Sequence, residues 1–179
     1  MKIGFDLDRI FINYPPFIPS KLIDKRYKLK ENGELIYRFP KKPEQWIRIA
    51  LHFHPFRPLI KENVEVLKKL DHKHNSLYLI SSRFGFLEKR TESVMKRYGL
   101  EQYFDAVYFN FTDKQPHLFK NELLKELKLD IYVDDDLSLL KFVAKDNKKT
   151  KLFWLNYSFS EQLNDNLFAI KSLTELFTT

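Results

Sequence analysis

An α/β fold built on a parallel sheet with helices on both faces is the architecture this sequence predicts, and three observations carry it. Short apolar runs with strand character alternate with stretches of helical period along the chain. Such runs lead into Asp6, Ser81 and Asp134, polar residues of the kind that collect at strand ends in this architecture. One stretch only, residues 14–60, breaks the alternation. The length of 179 residues corresponds to about one domain. With 44% apolar residues there is ample material for a core, which excludes intrinsic disorder as the main state. No apolar run approaches the roughly 18 residues of a membrane span, and charge at Lys2 and Asp6 comes too early for a signal peptide. The absence of cysteine excludes disulfides and thiolate metal sites. A cytoplasmic protein without a membrane partner is therefore expected.

Taken in order, Ile3 to Leu7 is a short apolar strand ending in acid. Pro58 to Leu70 predicts a helix, with Pro58 in its first turn and Ile60, Val64, Leu67 and Leu70 on one face. Leu77 to Ile80 is a buried strand that runs into Ser81-Ser82-Arg83. A helix follows through Leu87, Thr91, Val94 or Met95, and Tyr98, with Gly99 where a C-terminal cap belongs. Ala106 to Phe109 is a strand; Phe119, Leu123 and Leu127 mark a helix; Ile131 to Val133 is a strand leading into Asp134-Asp135-Asp136. A helix over about Leu137 to Lys145, a strand over Leu152 to Leu155, a short strand near Phe168 and a C-terminal helix complete the pattern.

The interruption has its own logic. Pro15, Pro16 and Pro19 open it as loop. Tyr27, Leu29, Leu35 and Tyr37 alternate with polar residues around Asn32-Gly33, a strong hairpin signal because both turn residues tolerate positive φ. Pro43 to Phe53 then reads as a helix with Trp46, Ile49, Ala50 and Phe53 on one face. The expected division is a catalytic core of residues 1–13 and 61–179, with a small hairpin-plus-helix cap, 14–60, inserted after the first strand. An insertion there sits over the strand ends, where such sheets bind ligands. Of the formal charge of +7, ten basic and four acidic residues place +6 within 14–60. A basic cap suits an anionic, phosphorylated small-molecule partner, with nucleic acid as the alternative.

Asp6-x-Asp8, Ser81, Lys120 and Asp134-Asp135 fall at or near the carboxyl ends of predicted elements and converge on one crevice of a parallel sheet. Singly each has an ordinary structural explanation: a loop acid, a turn serine, a solvated lysine, a helix N-cap. Together, four carboxylates in one crevice repel unless a cation joins them. Hard oxygen donors without cysteine or a histidine pair favour Mg²⁺. One strand-end aspartate can attack phosphorus, and a second, two residues on, can protonate the leaving oxygen and then deprotonate water. A hydroxyl and an ammonium hold the remaining phosphoryl oxygens. His52 and His54 face different directions on a helix, so no metal pair is expected there.

These residues resemble the motifs of the haloacid dehalogenase-like hydrolase superfamily over nearly the whole chain. Phe5-Asp6-Leu7-Asp8 resembles the first motif and Leu79-Ile80-Ser81-Ser82-Arg83 the second. The segment from Lys120 to Leu127 resembles the helix bearing the third motif's lysine, with Lys114 a rival of poorer spacing. Asp130 to Asp135 is similar to the fourth motif. The resemblance implies a Rossmann-like core and a Mg²⁺-dependent phosphomonoester hydrolase of the phosphatase type, acting through an aspartyl-phosphate. Asp6 is then the nucleophile and Asp8 the acid/base, with Ser81 and Lys120 on the phosphoryl group. The metal would be held by Asp6, the main-chain carbonyl of Asp8, and Asp134 or Asp135. Retention of Asp8 argues against a dehalogenase reaction, which has no leaving oxygen to protonate. A narrower resemblance, from Leu152 to Tyr157 and from Ala169 to Leu173, is to 5′(3′)-deoxyribonucleotidases. The implied substrate is a small phosphorylated metabolite or nucleotide; the alternatives are a polynucleotide end, or anion binding without turnover. Arg9 stands where the family usually has glycine, which implies altered turn geometry, an obstruction, or a new contact to a second phosphate. Ser82 joins the substrate-binding candidates, and Arg83 is placed either to reach substrate or to form a structural salt bridge.

Overall fold

The computed structural model describes residues 1–17, 28–31, 34–70 and 74–177, with 28–31, 34 and 177 described in their backbone alone. In chain order the strands are β1 (Lys2–Phe5), β2 (Lys28–Glu31), β3 (Glu34–Tyr37), β4 (Ser76–Ser81), β5 (Ala106–Phe109), β6 (Ile131–Asp134), β7 (Lys151–Leu155), β8 (Glu161–Asn164) and β9 (Leu167–Ile170). The α-helices are α1 (Lys42–Leu51), α2 (Lys61–Lys69), α3 (Glu88–Tyr98), α4 (Pro116–Leu127) and α5 (Leu137–Val143). No helix among the described residues is long and apolar enough to cross a membrane.

Seven strands form one sheet in the order β5-β4-β1-β6-β7-β9-β8, parallel except for the antiparallel β8–β9 pair. Strand β1 is central, and the chain leaves it to build β4 and β5 on one side and β6 and β7 on the other. That reversal opens a crevice at the carboxyl ends of β1, β4 and β6.

Side-chain parity sorts the core onto two faces. Ile3, Phe5, Leu77, Leu79, Ile131 and Val133 share one cluster with Val64 and Leu67 of α2 and Val94 and Met95 of α3. Ile80, Tyr132 and Leu152 belong to the other, with Leu123 and Leu124 of α4 and Leu139, Leu140 and Val143 of α5. Gly4 lies where a side chain cannot fit: an added Cβ would stand 2.6 Å from Leu129 Cδ1 and 2.9 Å from Tyr132 Cδ2. Gly4→Ala is expected to cost about 1–3 kcal/mol by overpacking, read from the urea midpoint. An unchanged midpoint would show that Leu129 yields without penalty.

Outside the main sheet, β2 and β3 pair antiparallel, with Glu31 opposite Glu34, and α1 follows. The turn expected at Asn32-Gly33 lies between the paired ends and outside the described residues, as do Lys25 and Arg26. The cap-side segments are tied to the core. Tyr37 exchanges backbone hydrogen bonds with the Gln115 side chain (2.9 and 3.1 Å), and Arg90 Nε donates to Ile49 O at 3.0 Å.

Four expectations need correction. Pro58 to Ile60 is not helical, because Asn13 N donates to Pro58 O (2.8 Å) and Ile60 N to Phe11 O (2.8 Å); α2 starts only at Lys61. In α1 the apolar residue Trp46 is 71% exposed, while Gln45 is buried and donates to Pro40 O at 2.9 Å. The C-terminal helix is only a 3₁₀ segment, Leu173–Phe177, held by buried Leu173 and Leu176. Strand β8 carries no apolar alternation and forms by pairing with β9, with a register irregularity between Gln162 and Asn164.

Candidate active site

Asp6 directly follows β1 and continues its pairing, donating from its backbone N to Val133 O at 2.9 Å. Lys120, on the inward face of α4, is only 2% exposed. Its ammonium donates to Asp6 Oδ1 at 2.7 Å and to Asp134 Oδ2 at 2.6 Å. Tyr132 OH, from the same strand as Asp134, donates to Asp134 Oδ2 at 2.9 Å. The structure thereby brings Asp6, Lys120 and Asp134 together as the motif spacing implied. Lys114, the rival, is on the surface, paired with Glu122. Burial pushes the Asp6 carboxyl up to about 7, with Lys120 pulling against it. Burial also works against the Lys120 charge, but Asp134 and Asp6 outweigh it and raise its pKa well above the ordinary lysine range. Lys120→Met would leave two buried carboxylates facing each other without a cation. A loss of about 3–5 kcal/mol is expected in urea unfolding, and wild-type stability in that variant would exclude the bridging role.

The acidic run divides into three tasks. Asp134 meets Lys120. Asp135, whose carboxyl is pushed up by burial and then by Asp134 and Asp6, receives Arg9 Nη1 on Oδ2 at 3.3 Å. Asp136 is the N-cap of α5, accepting from Ser138 N (2.9 Å) and Leu139 N (3.1 Å). Asp136 also receives Tyr37 OH at 2.6 Å, tying strand β3 to the end of β6.

Asp8 points away from this group. Arg83 grips its carboxylate with Nε and Nη2, both at 2.7 Å, and Arg57 Nη2 pairs with the same carboxylate. Burial disfavours the Asp8 charge, yet Arg83 and Arg57 outweigh it and hold this carboxyl far below the usual range. Arg83 also reaches Thr91 Oγ1 at 3.3 Å, so of the two uses expected for it the structure displays the salt bridge. His52 packs against this ion cluster, with Nδ1 2.8 Å from Arg48 O; burial and then Arg57 hold its pKa well below the ordinary value. Sequence reasoning missed Arg57, which is 2% exposed. Its only signal was a position next to Pro58, where the chain re-enters the core.

Ser81, the last residue of β4, is 1% exposed, and its hydroxyl has no hydrogen-bond partner among the described residues. A buried, unsatisfied donor at the mouth of the crevice is what an anionic ligand would complete. Ser82 follows it, half-buried.

Arg9 adopts φ 57°, so the left-handed turn that a glycine would make is retained and the expected change of geometry does not occur. Tyr157 OH donates to Arg9 O at 2.7 Å and accepts from Asn63 Nδ2 at 3.1 Å, fixing that turn from the core side.

Asp6, Asp134 and Asp135 each offer a carboxylate oxygen, all within 4.8 Å of one another. Such an all-oxygen donor set fits a hard divalent cation such as Mg²⁺. The side chain of Asp8 is not part of this cluster, which leaves only its main-chain carbonyl for a metal. One argument for the metal is corrected: charge balance alone does not demand it. Lys120, Arg9, Arg57 and Arg83 already neutralise the four carboxylates.

This arrangement has the haloacid dehalogenase-like hydrolase fold, which similar solved structures share. A protein of Thermotoga maritima assigned as a beta-phosphoglucomutase superposes with TM-score 0.63 at 16% identity, covering 99% of this chain and 96% of that one. An aspartate-to-alanine variant of a haloacid-dehalogenase-family enzyme of Bacteroides thetaiotaomicron, in complex with magnesium and inorganic phosphate, gives TM-score 0.56 at 14% identity over 91% and 96% of the two chains. A component of the Pnkp1/Rnl/Hen1 RNA repair complex gives TM-score 0.51 at 17% identity, over 88% of this chain but 43% of that one. No family model and no curated protein matches the chain.

Proposed function

We propose that this protein is a Mg²⁺-dependent phosphoester hydrolase that acts on a small phosphorylated metabolite or nucleotide through an aspartyl-phosphate on Asp6. The observation that carries the reading is the convergence of Asp6, Lys120, Asp134 and Asp135 beside the bare Ser81 hydroxyl. In this reading an Asp6 oxygen attacks phosphorus, a new Asp6–phosphorus ester bond forms, and the bond to the leaving oxygen breaks. Lys120 and Ser81 donate to the phosphoryl oxygens as negative charge shifts onto them. Mg²⁺ held by Asp6 with Asp134 or Asp135 would supply further charge stabilisation. Water then attacks the phosphoryl group and restores the Asp6 carboxylate. Asp8 is the base for that water. Protonating the leaving oxygen in the first half requires Asp8 to take up a proton and leave the Arg83 fork, so esters with phenolic or acidic leaving groups are expected to turn over faster than alkyl esters. Comparing kcat/KM for an aryl and an alkyl phosphate checks this, and equal values would contradict it.

The substrate-class test is phosphate release across phosphorylated metabolites, nucleotides and oligonucleotide ends, with and without Mg²⁺. Release from none of them sinks the reading. A polynucleotide end is the second reading. It is favoured by the +6 charge of residues 14–60 together with exposed Phe17, Phe39, Trp46, Phe53 and Phe56, since cationic grooves with aromatic faces suit single strands. The likeness to the RNA repair protein points the same way, and turnover confined to oligonucleotide ends would select this reading.

A further inference from the structure

The motif that the function above does not absorb is Arg9, and the geometry points to a defined role for it: Arg9 is a resident counter-ion that a divalent cation must displace from Asp135 in order to bind. This inference rests on the metal reading of the Asp6–Asp134–Asp135 cluster. Two of those three carboxylates share Lys120, and the third, Asp135, is taken by Arg9 at 3.3 Å. A cation entering the cluster therefore meets no free negative charge at Asp135; it has to break an ion pair whose side chains are only 26% and 13% exposed.

The placement of Arg9 is built and not incidental. A side chain at φ 57° is strained, since only glycine takes that conformation without cost. The strain is held by Tyr157 OH on Arg9 O, with Asn63 linking Tyr157 to Ile10 O at 2.6 Å. The guanidinium lies 5.9 Å from the centre of the Tyr14 ring, which also receives Arg57 at 5.2 Å. Trp154 Nε1 donates to Asp135 O at 3.0 Å and fixes the acceptor side. Both partners of the ion pair are thus anchored through their own backbone. When a cation takes Asp135, Arg9 is left as a free guanidinium at the rim of the crevice, available to an anion bound beside the metal. Metal and phosphate binding are accordingly coupled, each favouring the other.

The test is calorimetric titration of Mg²⁺ alone into the full chain and into Arg9→Gly and Arg9→Asn, with Asp135→Asn as the control that lacks the acceptor. Both Arg9 replacements suit a left-handed residue, so folding is preserved. Removing the guanidinium is expected to tighten Mg²⁺ binding by at least about tenfold at low ionic strength, with the gain shrinking as salt rises. Trp154 fluorescence provides a second readout beside Asp135. Equal Mg²⁺ affinity in wild type and both Arg9 variants, with binding lost in Asp135→Asn, overturns the counter-ion role and leaves the metal site standing. No Mg²⁺ binding by any of the proteins overturns the metal reading itself, and this inference with it.

Discussion

Asp6→Asn is expected to lose phosphate release by about 10⁴-fold or more on any ester the wild-type chain hydrolyses. Removing a nucleophile takes away the bond-forming atom itself, and losses of that order are typical. Asparagine preserves the shape and still accepts from Lys120 and from Asp8 N, which donates to Asp6 Oδ2 at 3.1 Å. The fold and the remaining groups should therefore survive, so the loss reports chemistry. Initial rates of phosphate release on the best ester from the substrate screen make the measurement. Residual turnover within tenfold of wild type would end the aspartyl-phosphate mechanism, whatever the metal dependence.

The second large effect is on stability. Asp8→Asn leaves Arg83 and Arg57, 6% and 2% exposed, without the carboxylate that neutralises them. Breaking a buried charged cluster from one side costs about 3–5 kcal/mol. For a chain of this size that lowers the melting temperature by about 10 °C. The pH sign follows from the depressed Asp8 pKa. A carboxyl that ionises more readily in the folded than in the unfolded state stabilises fully above the usual carboxylate range. That stabilisation disappears as pH falls through and below that range. Wild type and Asp8→Asn should therefore differ most near neutrality and converge in acid. A constant difference down to the lowest pH at which both remain folded would contradict the clamp.

The order Asp6, Ser81, Lys120, Asp134 was legible because each residue follows or punctuates an apolar run whose period reveals the element beneath it. Lys120 was separable from Lys114 by its distance from Asp134 alone, and the structure buries one and exposes the other. Arg57 was not legible. A guanidinium buried between two loops carries the same letter as one in solvent, and only the approach of residue 57 to residue 8 distinguishes them. Nor did three successive aspartates reveal their separate partners, because those partners arrive from α4, from the turn after β1 and from the backbone of α5. Trp46 misled for a related reason. Amphipathic spacing identifies an apolar face without saying that the core lies beneath it, and here the opposite side of α1 is turned inward. Strand β8 had no hydrophobic signal, since it owes its existence to the neighbouring strand.

That last strand has a consequence for how the molecule behaves in a crowd. Any open sheet ends in a row of unpaired backbone groups, a template on which another chain can polymerise. On one flank the row belongs to β8, which carries Glu161 and Gln162, is largely exposed and breaks register at Gln162. Charge, polarity and a bulge are the devices that discourage strand addition. The opposite flank is β5, four residues of Ala-Val-Tyr-Phe with neither a charge nor an irregularity. When the fold is weakened, as by Asp8→Asn, aggregation should begin on the β5 side, and a lysine at Val107 or Tyr108 is the substitution that would report it.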